Sequence, residues 1–205
     1  MRRIWVLLLC AACKNDGTAA PAETPPPPRK MAGVEPNQFR CDSIATPDML
    51  AQVLGGVAHP MDSGSAIPAG VPHPCAYLVD TQPQEAWTFD FDCRDGYKQR
   101  ADALFEQYRN DSSAMVGEYN RLADAGGIKP SDAGVVNRAP DVAAEVAVGA
   151  KGLDHHGQGL IFIDDDAPCY VRVIGPDAAK RLALAQLIAK NLTYENAPMS
   201  PRPIK

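Results

Sequence analysis

The sequence predicts an α+β domain, an antiparallel β-sheet flanked by helices and stapled by two disulfides. Three observations carry this. Residues 86–93 alternate strictly, with Trp87, Phe89, Phe91 and Cys93 on one side and Thr88, Asp90 and Asp92 on the other, the period of a half-buried strand. Strand pairs are segregated from capped helical segments, which favours antiparallel pairing over a doubly wound parallel sheet. Four cysteines, Cys41, Cys75, Cys93 and Cys169, remain once Cys10 and Cys13 near the N-terminus are set aside. That even count lacks the close pairs a structural zinc site prefers and points to two disulfides.

The chain of 205 residues is long enough for one sizeable core. It opens on Met1-Arg2-Arg3 and a nine-residue apolar run to Ala12, too short for a bilayer span of roughly 20 residues and suited to an export signal over residues 1–12. Ala11-Ala12-Cys13 resembles the lipobox of bacterial lipoproteins, which implies lipidation of Cys13 and attachment to a membrane. Cleavage there removes Arg2 and Arg3 and takes the formal charge from −5 to −7, so acyl chains rather than anionic lipid would supply the membrane affinity. Residues 13–38, with the Pro25-Pro26-Pro27-Pro28 run, are expected to form a disordered tether, and residues 39–195 a single domain. An acidic chain with no basic face excludes nucleic acid as a partner of choice.

Along the domain, Thr46 as N-cap, Pro47 at the first helical position and Asp48 in the first turn open a helix carrying Met49, Leu50, Val53 and Leu54, and Gly55-Gly56 stop it. Residues 59–74, rich in glycine and proline, are expected to be a long loop. A strand follows over residues 75–81, then a turn at 82–85 and the Trp87 strand. Tyr97, Ala101, Leu104 and Tyr108 mark one face of a second helix that Met115, Tyr119 and Leu122 would continue, before a loop at 126–140. Residues 142–148, 159–163 and 169–174 suggest strands, the last two joined through Asp164-Asp165-Asp166-Ala167-Pro168. A helix opened by Asp177 would bury Ala179, Leu182, Leu187, Ile188 and Leu192 and expose Lys180, Arg181 and Lys190. Residues 196–205, with three prolines, are expected to fray.

Cys93 and Cys169 both fall on the inward face of their strands. Cys41 stands just before the first helix and Cys75 heads a strand. The pattern favours Cys41–Cys75 and Cys93–Cys169, with Cys75–Cys93 across a hairpin as the rival. Asp154-His155-His156 is the best candidate for metal chemistry, with Asp164 available from the acidic turn. Adjacent histidines on a strand point to opposite sides, however, and the flanking Gly152, Gly157 and Gly159 favour a solvated turn. Asp90 and Asp92 are explained by alternation alone. Residues 58–74, carrying His59 and His73, are the leading binding surface, because a long loop within a compact domain is more often functional than a short one. No cofactor is implied.

Cys41-Asp42-Ser43-Ile44 before a helix ending at Leu54-Gly55, followed by Pro74-Cys75-Ala76-Tyr77, resembles a family of uncharacterised bacterial lipoproteins with a lipobox, a low-complexity linker and paired cysteines. The strand and Ala-rich helix over 169–192 are similar as well. That resemblance implies the fold of the photosystem extrinsic protein and its Ran-binding relative, an antiparallel sheet between helices, and carries no enzymatic residues with it. The expected function is a non-enzymatic, lipid-anchored domain of the cell envelope that binds a small ligand or another envelope protein. The alternative is a metal-dependent envelope enzyme using Asp154, His155 and His156.

Overall fold

The computed structural model describes residues 31–62, 67–110 and 143–204. Cys13 and the export signal, most of the tether, Met115, Tyr119, Leu122 and the 126–140 loop lie outside the described residues. The fold is α+β. Seven antiparallel strands form one sheet, in the order β2 (Ala58–Met61), β3 (Cys75–Val79), β4 (Glu85–Asp92), β8 (Tyr170–Ile174), β7 (Gly159–Ile163), β6 (Lys151–His155) and β5 (Ala144–Glu145). Helices α1 (Pro47–Leu54) and α3 (Ala178–Asn191) contribute to the core on one face, and α2, helical over 97–110, covers the other. A two-stranded clasp joins the ends of the described chain, β1 (Met31–Ala32) against β9 (Arg202–Pro203).

The helix signals operate as chemistry requires. Thr46 accepts the Met49 N–H in its side chain and Pro47 occupies the first turn, while Gly55 closes α1 in the left-handed region at φ 79°. In α3, Asp177 caps through its carboxylate to the Lys180 N–H at 2.8 Å. The alternation in β4 is the one expected. Trp87, Phe89 and Phe91 face the α1 and α3 side, where Phe89 stacks on Tyr77 and meets Phe91 edge-on, and Phe91 meets Phe39. Each such side chain, fully buried, contributes about 1.5–3 kcal/mol. Trp87 donates its indole N–H to Glu85, which Lys180 also binds.

Both disulfides are closed, Cys41–Cys75 and Cys93–Cys169. The register explains why the rival pairing does not form. Cys75 lies opposite Phe89, so Cys93 is four residues further along β4, about 13 Å away. Cys169, just before β8, reaches Cys93 because Asp92 pairs with Tyr170.

Several sequence expectations are corrected. Residues 58–61, expected in the loop, form the edge strand β2, which tolerates Pro60 because an edge lacks a further ladder on that side. Among the described residues of the strand expected at 142–148, only Ala144–Glu145 pair, and the next strand, Lys151–His155, takes in Asp154 and His155, expected in a turn. In α3 the buried stripe is Arg181, Leu184, Ala185 and Ile188, continuing to Leu192, so Ala179 is exposed and Arg181 is inside. Its guanidinium grips Asp154 of β6 at 2.7 and 2.8 Å and the Gly175 carbonyl at 2.7 Å. The expected frayed tail instead docks, with Ala197 and Met199 buried, Val34 bridging to Pro198, and β9 pairing with β1. The end expected for the tether is likewise held from Met31 onward.

Candidate functional site

The site begins where β4 ends. Strand alternation sends Cys93 to the apolar face and Asp92 to the α2 face, and the chain then turns through Arg94 and Asp95 into α2. Asp92, 4% exposed, is held by two arginines. Arg94 donates from Nε (3.0 Å), Nη2 (2.6 Å) and its backbone N–H (3.1 Å), and Arg100 of α2 donates from Nε and Nη2, both at 2.8 Å. Burial alone would raise the Asp92 carboxyl, but hydrogen bonds from Arg94 and Arg100 outweigh it and hold the group well below the usual carboxylate range. Arg100 also donates to the carbonyls of Arg94 (3.1 Å) and Asp95 (3.0 Å), so α2 fixes the turn that presents Arg94.

One step along the same face, Arg172 donates twice to Asp90, at 3.1 and 2.9 Å. There burial prevails and pushes the Asp90 carboxyl above its ordinary value despite the arginine. The phenols of Tyr108 and Tyr170 are raised by burial too.

The turn at 93–95 is the floor of a cavity of about 560 Å³. One wall is the segment 67–73, where Val71 donates to the Pro68 carbonyl and Gly70, at φ 78°, takes a left-handed conformation. A Cβ on Gly70 would stand 3.4 Å from Cδ of Arg94, so the loop lies along the arginine's aliphatic stem. The opposite wall comes from both flanks of the chain, residues 35–37 and 199–202. Arg202 spans the rim to Asp95 at 2.7 Å. A second cavity, about 460 Å³, lies between α2 and the bend at 145–152; its cations are engaged, Lys151 with Asp102 and the Phe105 ring, Arg109 with Glu145.

The structure brings His73 into the first cavity and leaves His59 outside it, on the edge strand with Asp80 at 2.8 Å. The bond from His59 lowers the Asp80 carboxyl. The metal candidates are dispersed. Asp154 faces α3 and Arg181, whereas His155, its neighbour, faces α2, where its ring meets Tyr108 edge-on and its Nδ1 accepts the Gly157 N–H at 3.1 Å. Nε2 of His155 is buried without a hydrogen-bond partner. His156 is exposed in the turn beyond β6. Asp164 stands past the far end of β7, about 16 Å of strand from Gly159, the residue opposite His155. It accepts the Asp166 and Ala167 N–H groups and shapes the acidic turn, and burial raises its carboxyl. Among the described residues, no three His, Cys, Asp or Glu side chains are placed to hold a metal ion.

Sequence reasoning passed over Arg94 and Arg202, which line the cavity, and Arg100 and Arg172, which bind Asp92 and Asp90. The available signal was Asp92-Cys93-Arg94-Asp95 at a strand end with Arg100 one helical turn and a half beyond it.

No protein-family model, curated protein or solved structure matches the chain. No described helix is long and apolar enough to cross a membrane. The two disulfides are those of a domain that folds in an oxidising, exported environment.

Proposed function

We propose that the protein is a non-enzymatic, lipid-anchored binding domain of the bacterial cell envelope, and that the cavity above Cys93 is where it binds a small ligand. One observation carries the reading. Four separated segments converge on a cavity of about 560 Å³, a size common for small-molecule sites, backed by a disulfide and clasped by both flanks of the domain. Walls held by a cross-link and a terminal clasp are organised before the ligand arrives, which reduces the ordering cost of binding. The anchor follows from the Ala-Ala-Cys13 resemblance. From Cys13 to Met31 the chain reaches at most about 60 Å, so the cavity would work close to the membrane surface. Of the side chains that a metal-dependent enzyme would recruit, Asp154 is held by Arg181 and His155 faces the other side of the sheet, toward Tyr108.

The test uses the full chain in a bacterial host that processes lipoproteins. The wild type is expected in the membrane fraction, with Cys13 carrying acyl chains by mass spectrometry, and Cys13→Ala in the soluble fraction. An unprocessed Met1 with reduced thiols would overturn the localisation. Ligand binding is read by thermal shift against Val71→Trp, which fills the cavity; a ligand that stabilises both proteins equally would overturn the site.

A further inference from the structure

We infer that the cavity takes a small organic oxyanion, an acidic head on an apolar body, and that Arg94 receives the head; the inference rests on the reading of this cavity as the ligand site. Two guanidinium groups, Arg94 and Arg100, share the single buried carboxylate of Asp92. Arg202 pairs with Asp95, and Glu35 on the rim brings the three cations and three carboxylates around the cavity to formal neutrality, so the preference for an anion rests on where the free donors point rather than on net charge.

Geometry then selects Arg94. Its Nε and Nη2 form the side-on fork to Asp92, which leaves the end-on edge of the guanidinium, Nη1 and the second Nη2 hydrogen, for another planar acceptor. Arg94 lines the cavity and its side chain is 34% exposed, while Arg100 turns its remaining donors to the carbonyls of Arg94 and Asp95. Arg100 is therefore a positioning residue. Gly70, in the left-handed region, carries the loop along the Arg94 stem. Of the two carboxylates on the rim, Glu35 and Asp95, the latter is engaged by Arg202. Ile67, Val71 and Met199 offer the apolar body a wall.

The experiment titrates the full, oxidised chain with phenylacetate, benzylphosphonate and the neutral isostere phenylacetamide, followed by amide NMR. Both acids are expected to shift the Gly70, Val71 and Arg94 resonances, and to bind at least about tenfold more tightly than the amide, equivalent to ~1.4 kcal/mol. Whichever acid is preferred names the head group. Arg94→Lys keeps the charge and loses the fork, and is expected to weaken the acids about tenfold while leaving the amide unchanged. Val71→Trp leaves the Asp92 cluster alone and is expected to remove all three responses. If the amide binds as well as the acids, or Arg94→Lys leaves acid affinity intact, the oxyanion inference is overturned while the cavity remains a binding site. If no probe moves a cavity resonance, both readings fall.

Discussion

The two faces of the sheet differ in what holds them. Beneath α1 and α3, Trp87, Phe89, Phe91, Val171 and Val173 pack against Leu50, Leu54, Leu184 and Ile188, and the buried ion pair there is Asp154–Arg181. Beneath α2, Leu153, Ile161 and Ile163 make a smaller apolar cluster with Phe105 and Tyr108, and beside it stand Asp90, Asp92, Arg172 and the Arg94–Arg100 clamp. The first face derives its stability from area removed from water, which is non-directional. The second fixes positions, because charge-assisted hydrogen bonds require particular angles as well as proximity. The cavity opens where the positioned face meets the disulfide of the apolar one.

The largest expected effect breaks the exception on the apolar face. Arg181 is 1% exposed, and Arg181→Met would leave Asp154 as a buried charge without its partner, at a cost of about 3–5 kcal/mol in urea unfolding. Adding Asp154→Leu should recover much of that loss, since an apolar pair of similar volume suits this face. A double variant no more stable than Arg181→Met would show that the pair does more than fill space.

Next comes the staple between the faces. Replacing Cys93 and Cys169 together by alanine should cost about 2–5 kcal/mol, and roughly 0.7 kcal/mol more than removing Cys41–Cys75, because the loop it closes spans 76 residues rather than 34. Equal losses for the two disulfides would place the stabilisation in native contacts rather than in the unfolded chain. On the α2 face, Asp92→Asn removes the charge that both arginines bind, and a loss of about 1.5–3 kcal/mol is expected at neutral pH.

These contrasts also mark what the sequence disclosed. The apolar face was legible because period-two alternation from Trp87 to Cys93 assigns every side chain, and the same parity favoured the disulfide pairing later found. The phase of α3 was not, since Leu182, Leu184, Leu187 and Ile188 surround the helix and its apolar period is weak. A buried Arg181 settles it through a partner 27 residues away. Lys151-Gly152-Leu153-Asp154-His155 contains no β-branched residue, so pairing with β7, not propensity, makes it a strand. Docking of the tail depends on Gly33, where a Cβ would come within 2.7 Å of Met199, a contact between opposite ends of the described chain. The candidate site was least visible. His73 was singled out, but its cavity exists only when residues 35–37, 67–73, 93–95 and 199–202 are assembled, and Asp92 looked like ordinary solvent-face alternation until α2 covered it.

The smallest effect is the most discriminating, because it compares two carboxylates on one strand. Asp92 is held below its ordinary range, so the unfolded chain binds the proton more readily than the folded one. Its contribution is full above the unfolded value of about 4 and is lost as pH falls through the lower folded value. Asp90 is raised by burial, so the folded chain binds the proton more readily; its contribution is full below about 4 and is lost as pH rises through the higher folded value. Measured against the wild type from acid upward, the deficit of Asp92→Asn should therefore grow with pH, whereas that of Asp90→Asn should shrink. Parallel slopes would mean that the two arginines of one cluster and the single arginine of the other treat their carboxylates alike, and the clamp that positions Arg94 on the floor of the cavity would lose its support.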